Sequence, residues 1–500
     1  MKNFKSSYLL LATGGLFMLF SNGRWIIPFA AWIFPVFFIH YMRMNTSRKS
    51  LLGVALVSAF VNPIMYYGTM PLPKPVYFII TVFVMQIMTM CFWMYRKLVI
   101  RDRSFLATLY FPSLWVATEF ITSLFPKATW NVLAYTQTQN LSLAQLASVT
   151  GIWGISFLVT WFAALVEWAW SHDFKWELIR RGAITFASIF GFIYLMGFAR
   201  VNFFSSGSNT VKVASILQAR KANQSLNLCK WTDARAIGNY SQDVEKNLLE
   251  KTKQAAEAGA KFILWQESAG FIPRKEEEEF VRQASVLAAN QKINLMMTLW
   301  SVPTEYPHQL VENKLVLIDS NGSIHFTYLK SHPAPPEPIV KGQPTIPVFN
   351  SGEARIAAAI CFDGDFPSFI RQAGKRDIDI FFLPANDWKQ ITKVHADMAI
   401  MRAIENGFSL VRAAGQGIST MNDSRGRTLA MLDFYGTDDQ VIIADVPARR
   451  SFTLYPVLGD WFAWCCVGFV TIHLLRAIQN GFAFKKSKWE RPAFFPELKT

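Results

Sequence analysis

The sequence predicts an α/β domain carried on a bundle of membrane-spanning helices, and three observations support this prediction. First, 52% of the 500 residues are hydrophobic and only 17% are charged, whereas a soluble domain usually has about 25% charged residues. Second, the apolar excess lies in residues 7–200 and 455–478, which leaves a central region of mixed composition. Third, this central region alternates strand-like and helix-like segments, as layered α/β domains do.

Several apolar stretches approach the length of about 20 residues that a helix needs to cross a bilayer. We place them near residues 7–22, 25–42, 51–69, 75–95, 104–124, 145–170, 182–199 and 455–476. The first resembles a signal peptide, but no clear cleavage site follows it, so we expect it to be retained. The predicted parts are a bundle of about seven helices at 1–200, a domain at 201–454, a last span at 455–478 and a basic tail at 479–500.

The distribution of Lys and Arg predicts the orientation of this bundle. Clusters at alternate loops comprise Lys2 and Lys5; Arg43, Arg48 and Lys49; Arg96, Lys97, Arg101 and Arg103; Lys175, Arg180 and Arg181; and Lys485, Lys486, Lys488 and Arg491. Basic loops stay on the cytoplasmic side, so we expect cytoplasmic termini and an extracytoplasmic central domain. The formal net charge of +15 thus reflects topology and suits anionic lipids. Its short juxtamembrane clusters argue against a nucleic-acid partner.

Three strand-like runs of the central region end in side chains that carry chemistry. One apolar run ends at Glu267, and a second run after the hairpin signal Asn321-Gly322 ends at Lys330. A third run ends at Cys361, where a turn-rich piece leads into a helix start at Pro367. A carboxylate can act as a base, an ammonium can stabilise an oxyanion, and a thiolate can attack a carbonyl carbon. The alternative for Cys361 alone is a buried, inert cysteine.

These residues occur in the contexts WxES, YxKxH and ICxDxxFP, and together they resemble the nitrilase, or carbon–nitrogen hydrolase, superfamily. The apolar flanks make the chain similar to the apolipoprotein N-acyltransferase family, whose membrane part also has a Trp/Glu span like that of Trp115 and Glu119. The resemblance implies an α-β-β-α sandwich on a polytopic bundle. It also implies a catalytic triad of Glu267, Lys330 and Cys361.

The resemblance implies further residues around this triad. The backbone N–H of Phe362 would help to bind an oxyanion, Trp231 would lie near the lipid, and an ion pair of Arg402 with Glu405 would support the site. The residues that depart from the family pattern are Glu337 in a proline-rich loop, Asp363 in place of Glu, Gln266 in place of Pro, and Gly415 in place of Asn. The roles of Glu337 and Asp363 are therefore left open.

The family resemblance also implies a reaction and its partners. We expect an acyl chain to pass from a phospholipid donor through a Cys361 thioester to the N-terminal amine of a diacylated lipoprotein, in a bacterial inner membrane with the catalytic domain in the periplasm. A membrane-tethered amidase that uses the same triad is the alternative, and a non-catalytic scaffold is a third reading.

Cys and His spacing does not indicate a metal site, His395 is expected to be structural, and we expect no cofactor. A Cys229–Cys361 disulfide would exclude catalysis.

Overall fold

A computed structural model describes residues 2–45, 49–99, 102–125, 128–203, 209–218, 234–335, 337–438 and 441–489. The residues before 204 form a helical bundle. Its α-helices are α1 (Lys2–Leu19), α2 (Pro28–Met44), α3 (Lys49–Met65), α4 (Lys74–Val82), α5 (Thr89–Val99), α6 (Tyr110–Ser123), α7 (Leu141–Ala144), α8 (Ala147–Thr150), α9 (Ile152–Trp170) and α10 (Trp176–Asn202). Short 3₁₀ segments lie at Val84–Met88, Phe105–Leu109 and Leu133–Gln137.

Five helical segments of the described chain are long and apolar enough to cross a membrane. They are Lys74–Leu98, Phe105–Ser123, Ile152–Trp170, Trp176–Asn202 and Trp461–Gln479. Shorter apolar helices cover Ser7–Leu19 and Lys49–Met65, where the first and third spans are predicted. The number of spans and the domain boundaries at residues 200, 454 and 478 stay predictions.

The central region contains two facing sheets. One joins strands in the order β15-β1-β2-β4-β5-β6, with β3 paired to β4, and the other has the order β14-β13-β11-β9-β8-β7. The strands are β1 (Thr210–Ile216), β2 (Phe262–Trp265), β3 (Gly270–Pro273), β4 (Asn294–Val302), β5 (Glu312–Ile318), β6 (Ile324–Leu329), β7 (Val348–Asn350), β8 (Arg355–Ala358), β9 (Ile380–Phe382), β10 (Ala385–Asn386), β11 (Ser409–Arg412), β12 (Ala414–Gly415), β13 (Ile418–Asn422), β14 (Thr428–Asp433) and β15 (Val441–Pro447). The two-residue strands β10 and β12 pair separately.

Helices cover the outer face of each sheet. The first sheet packs against α11 (Ala234–Glu257) and α12 (Glu277–Gln291), and the second packs against α13 (Pro367–Gly374) and α14 (Thr392–Asn406). Alternate residues of β2 divide between the two sides, because Phe262 lies in the core between the sheets whereas Ile263 packs toward the helices. Phe262 stacks on Phe382 of the opposite sheet, with ring centroids 6.0 Å apart. The predicted α-β-β-α sandwich on a helical bundle is confirmed.

Hydrogen bonds between distant parts of the chain join the sandwich to the bundle. The chain leaves the sandwich through α15 (Tyr455–Leu458) and α16 (Trp461–Trp489). The Ile152 N–H donates to Glu405 Oε1 at 3.1 Å, and Trp153 Nε1 donates to Asp460 Oδ1 at 2.8 Å. On another side, Trp388 Nε1 donates to the Gly68 carbonyl at 2.7 Å. The helical and α/β parts therefore share one packed interface.

Candidate active site

The two sheets bring the ends of three strands together. Glu267 follows β2 and Lys330 follows β6, both in the first sheet, while Cys361 follows β8 in the second sheet. The turn at Gly322, where φ is +83°, joins β5 to β6 and sets the register in which Lys314 pairs with Leu329. This position needs a left-handed backbone, which glycine adopts without steric cost. The hairpin thus positions Lys330 at the edge that Glu267 occupies.

Lys330 connects two carboxylates at the centre of the site. Its side chain is fully buried, and its Nζ lies 2.9 Å from Glu267 Oε1. The same Nζ contacts Glu337 Oε1 at 2.9 Å and Oε2 at 2.8 Å. The proline-rich loop holds Glu337 in place, because the Ala334 N–H donates to Glu337 Oε2 at 2.9 Å. Glu337 thus reaches Lys330 although its loop departs from the family pattern.

Asn313 is a site residue that the sequence analysis missed. Its Nδ2 donates to Glu267 Oε1 at 2.8 Å, and its carbonyl accepts from the Lys330 N–H at 2.9 Å. Glu267 Oε1 therefore accepts from two donors, Asn313 Nδ2 and Lys330 Nζ. These two hydrogen bonds fix the orientation of the carboxylate. Asn313 lies on β5, in the strand beside Lys330, and only the hairpin pairing reveals this proximity.

Cys361 begins a 3₁₀ turn, Cys361–Asp365, and has a φ of +49°. A positive φ is uncommon for a residue with a side chain, and such backbone strain clusters at functional sites. The Cys361 N–H is held by the Pro384 carbonyl at 2.7 Å. The thiol is free and its residue is 7% exposed. Cys229, its conceivable disulfide partner, lies outside the described residues.

The charges around Cys361 favour a neutral thiol at rest. Burial raises the pKa of Cys361 well above its usual value, and the Glu267 carboxylate raises it further, against the opposing charge of Lys330. Burial disfavours the charged form of Lys330, but the Glu267 carboxylate and its other neighbours outweigh burial and raise the pKa of Lys330. A reaction at this thiol would therefore require a nearby base to take its proton.

Asp363 connects the turn of Cys361 to the strand of Lys330. Its carboxylate accepts from Tyr328 Oη at 2.7 Å and from the His332 N–H at 2.8 Å. It also accepts from the Ile360 N–H at 3.1 Å. These donors flank both Lys330 and Cys361, so Asp363 links the two stretches of chain through hydrogen bonds. Its role in the reaction stays an open prediction.

A second buried charge network lies beside the cysteine. Both nitrogens of His395 contact carboxylates, with Nδ1 2.7 Å from Asp387 Oδ1 and Nε2 3.1 Å from Asp365 Oδ1. Arg412 Nη2 donates to both oxygens of Asp387 at 2.9 Å. Burial lowers the pKa of His395, but Asp365 and Asp387 outweigh burial and raise it to about 9. His395, which we expected to be structural, therefore takes part in a buried ion network beside Cys361.

Cys361, Asp387 and His395 offer ligand atoms within 4.8 Å of one another, a spacing that could hold a metal ion. Arg412 already binds both oxygens of Asp387. A metal would have to take these oxygens from a guanidinium and deprotonate His395, so its cost in electrostatic energy is high. The donor set therefore suits an internal ion network better than a cation site.

The remaining predicted residues lie in different places. Arg402 Nε lies 3.0 Å from Glu405 Oε2 on α14, and Arg402 Nη2 also donates to Tyr135 Oη at 3.1 Å. This pair therefore faces the bundle. Phe362 is half-buried, with its ring 5.1 Å from that of Phe366 in a T-shaped contact. Trp231 lies outside the described residues.

Two of the departures from the family pattern contact each other. A Cβ added at Gly415 would lie 2.6 Å from Gln266 Nε2 and 2.9 Å from Asn386 Oδ1. Gln266 directly precedes Glu267, and its Oε1 accepts from the Gln218 N–H at 3.0 Å. The larger side chain at 266 thus fills the space that a side chain at 415 would take.

We expect Gly415→Asn alone to lower the free energy of unfolding by about 1–3 kcal/mol, because it overpacks this contact. Gln266→Ala should remove most of that penalty in the double variant. Thermal midpoints of the wild type, both single variants and the double variant check this coupling. Additive effects of the two substitutions would contradict it, since residues that do not touch give additive changes.

A cavity of about 540 Å³ lies in the bundle, and its lining residues all belong to the helical part of the chain. Its apolar lining includes Phe34, Phe38, Met65, Phe92 and Trp115. Thr129 and Trp130 line its end nearest the sandwich. The Thr129 N–H donates to the Asp365 carbonyl at 3.3 Å, and the Trp130 ring centroid lies 5.5 Å from that of His395. Two residues that line the cavity therefore contact residues near Cys361.

Glu119 also lines this cavity. Its Oε1 accepts from Trp115 Nε1 at 2.9 Å and from the Leu133 N–H at 2.8 Å. The residue is only 4% exposed, so Glu119 faces protein rather than the water at the membrane surface. Such a carboxylate is costly in an apolar span unless it is hydrogen-bonded.

Comparisons with known proteins agree with this architecture. The family model described as carbon-nitrogen hydrolase matches residues 220–451, and the model of the apolipoprotein N-acyltransferase N-terminal domain matches residues 14–165. Apolipoprotein N-acyltransferase from Geobacter metallireducens is 24% identical, over 93% of this chain and 94% of the relative. Apolipoprotein N-acyltransferase 1 from Treponema denticola is 25% identical, over 74% and 76% of the two chains. An amidase from Nesterenkonia sp. aligns with 49% of this chain and 95% of its own, at 21% identity and a TM-score of 0.39.

The fold and the matched sandwich domain define an acyltransferase of the carbon–nitrogen hydrolase superfamily. Its apolar helices make it a membrane protein. The helical part matches the model of the apolipoprotein N-acyltransferase N-terminal domain, and the sandwich matches the carbon-nitrogen hydrolase model. Because the relatives that match most of the chain combine these two parts under the same name, the chain belongs to the apolipoprotein N-acyltransferase family.

Proposed function

We propose that this protein moves a fatty acyl chain from a membrane phospholipid to the N-terminal α-amine of a diacylglyceryl-cysteine lipoprotein. The observation that carries the proposal is the apolar cavity of the bundle, because two of its lining residues, Thr129 and Trp130, contact Asp365 and His395 near Cys361. A small soluble amide would need a closed polar pocket, whereas a lipid needs an apolar space next to the nucleophile. The cavity therefore favours a lipid donor over the amidase alternative.

The proposed reaction has two stages with Glu267, Lys330 and Cys361 as its catalytic residues. In the first stage, Glu267 takes the thiol proton, and the Cys361 sulfur attacks the ester carbonyl of the donor. Lys330 and the backbone N–H of Phe362 stabilise the tetrahedral oxyanion. The carbon–oxygen bond then breaks, and Glu267 returns the proton to the lyso-lipid alkoxide. An acyl thioester on Cys361 remains.

In the second stage, the free α-amine of the lipoprotein attacks the thioester carbonyl. Glu267 takes a proton from the nitrogen, and the carbon–sulfur bond breaks to give an amide. The sulfur recovers the proton, which restores the neutral thiol that the surrounding charges favour. Glu337 assists as the second carboxylate that holds Lys330, and Trp231 contributes to lipid binding in this proposal.

We propose that the protein lies in the bacterial inner membrane with the sandwich in the periplasm and both termini in the cytoplasm. The alternating basic loops support this orientation through the positive-inside rule. Both substrates carry acyl chains, so a membrane bundle would bring them to one site and raise their effective concentration.

Intact-protein mass spectrometry tests the proposed function. Wild type and Cys361→Ala are incubated with phosphatidylethanolamine, then treated with hydroxylamine or with a diacylglyceryl-cysteine peptide. We expect one fatty-acyl mass increment on the wild type only, which both treatments remove. A reactive Cys361 thiol that gains no acyl group from any phospholipid would exclude the lipid donor and favour the amidase alternative.

A further inference from the structure

A second, smaller cavity lies where the bundle meets the sandwich. Its volume is about 190 Å³, which holds several heavy atoms, since a water takes about 30 Å³ of liquid volume. The residues that line it are Gly23, Arg24, Trp25, Ile26, Lys389, Gln390, Thr392, Lys393 and Val394. The first four lie between α1 and α2, and the others lie just before α14 or in its first turn. The proposed mechanism uses none of these side chains.

The lining of this cavity carries three cationic groups and no carboxylate. Lys393 is paired with Asp397, so Arg24 and Lys389 supply the uncompensated charge. Arg24 lies over the Trp25 ring at 5.1 Å, and Lys389 lies 5.7 Å from the Tyr435 ring. In the described part of the chain, neither cation forms an ion pair. A concave site of this kind favours an anionic group that accepts several hydrogen bonds.

The position of this cavity matches the surface of a membrane. It lies at the end of the bundle that carries the sandwich, beside a band of exposed apolar side chains. These are Trp25, Ile27, Phe29 and Tyr67, which are 41%, 51%, 61% and 58% exposed. Aromatic side chains with this exposure are typical of the membrane–water boundary. The anion within reach of Arg24 and Lys389 is therefore a lipid phosphate.

Residues that line the small cavity are chain neighbours of residues that line the large cavity and of a residue beside Cys361. Asn22 lines the large cavity and Gly23 lines the small one. Val394 lines the small cavity, and its neighbour His395 has a ring nitrogen within 4.8 Å of Cys361 Sγ. In a phospholipid, a glycerol unit likewise joins the phosphate to the acyl esters. The small cavity, Cys361 and the large cavity would give one place each to the phosphate, the ester and the acyl chain.

We propose that Arg24 and Lys389 bind the phosphodiester of the donor lipid and thereby select phospholipids over uncharged acylglycerols. Lys393 supports the site while paired with Asp397. This inference rests on the proposed function in one respect, that the acyl donor is a phospholipid. It adds a headgroup subsite that is separate from the catalytic triad.

The test measures lipid retention on Cys361→Ala protein by native mass spectrometry, so that binding is read without chemistry. The probes are phosphatidylglycerol and diacylglycerol of equal chain length. The variant is Arg24→Gln/Lys389→Gln, which leaves the Lys393–Asp397 pair intact. The control is Lys292→Gln/Lys375→Gln, which removes the same charge from exposed positions outside the cavity. We expect about tenfold or greater loss of phosphatidylglycerol in the variant, no loss in the control, and unchanged diacylglycerol retention.

Equal retention of phosphatidylglycerol by variant and control would overturn the proposal, and so would an equal loss of both lipids. Inorganic phosphate at millimolar concentration separates the two sources of phosphate. If it binds in an Arg24-dependent way while phosphatidylglycerol does not, the site serves a soluble anion and the lipid proposal fails.

Failure of the headgroup site and failure of the proposed function give different results. If wild type forms no thioester but Cys361→Ala still retains phosphatidylglycerol through Arg24 and Lys389, the acyl-transfer function fails and the headgroup site stands. If Arg24→Gln/Lys389→Gln forms the thioester at the wild-type KM for phosphatidylglycerol, the function stands and the headgroup site fails.

Discussion

Glu267→Gln is expected to slow acylation of Cys361 by about 10²–10⁴-fold, the usual contribution of a general base. The substitution retains the shape of the side chain and its contact with Asn313, but an amide cannot take the thiol proton. The same change should lower the pKa of Cys361, because the Glu267 carboxylate is one of the charges that raise it. The variant thus combines a more ionised thiol with slower turnover.

Two measurements on one protein test this combination. Thioester formation is followed by mass spectrometry, and the thiol pKa is taken from the pH dependence of alkylation by iodoacetamide. Glu337→Gln is the matched control, because Glu337 also holds Lys330 and raises the thiol pKa but has no assigned proton transfer. Equal loss of turnover in the two variants, or a pKa of Cys361 that rises in Glu267→Gln, would show that Glu267 is not the base.

Arg412→Met is expected to lower the free energy of unfolding by about 3–5 kcal/mol, the effect of leaving a buried charge without its partner. Both side chains of the Arg412–Asp387 pair are fully buried. Burial raises the pKa of Asp387, but Arg412 and His395 outweigh burial and lower it. Asp387 therefore stabilises the fold above its unfolded pKa, and that stability is lost as the pH falls through its lower folded value.

Thermal unfolding of detergent-purified protein across a pH series measures this effect. The difference in thermal midpoint between wild type and Arg412→Met should become smaller in acid, where Asp387 is protonated in both proteins. The stability that His395 contributes has the opposite pH dependence. It is present below the ordinary pKa of histidine and is lost as the pH rises through about 9. Arg412→Met/Asp387→Asn should recover part of the midpoint. A double variant no more stable than Arg412→Met would contradict the ion-pair explanation.

The sequence indicates where the strands of the site end. It does not indicate which distant side chains contact the residues at those ends. Apolar runs predict the strand ends at Glu267 and Cys361, and the hairpin signal Asn321-Gly322 predicts the strand that ends at Lys330. The catalytic roles of these three residues stay predictions.

Asn313 and Arg412 could not be predicted in the same way. Asn313 contacts Glu267 from 46 residues away, and Arg412 reaches Asp387 across 25 residues. The stretch around Asn313 carries no motif that marks it, and the stretch from Arg412 to Gly415, which resembles a family pattern, does not show that Arg412 contacts Asp387. Strand pairing creates these contacts, and pairing between distant strands is not encoded in local periodicity.

Glu337 shows the limit of comparing motifs. The proline-rich loop departs from the family pattern and left its role open, yet the Ala334 N–H and Lys330 hold its carboxylate. The position of a charged group depends on the donors that surround it in space. The residue types next to it in the sequence are a weaker indicator of that position.

The contacts between bundle and sandwich also constrain how the chain is made. Tyr135, Ile152 and Trp153 take their hydrogen-bond partners from residues 267, 253 and 307 positions later in the chain. During synthesis, which proceeds at about 5–20 residues per second, these groups wait more than ten seconds for Arg402, Glu405 and Asp460. A nascent or truncated chain that ends before Arg402 therefore leaves these three groups of the bundle without these hydrogen-bond partners.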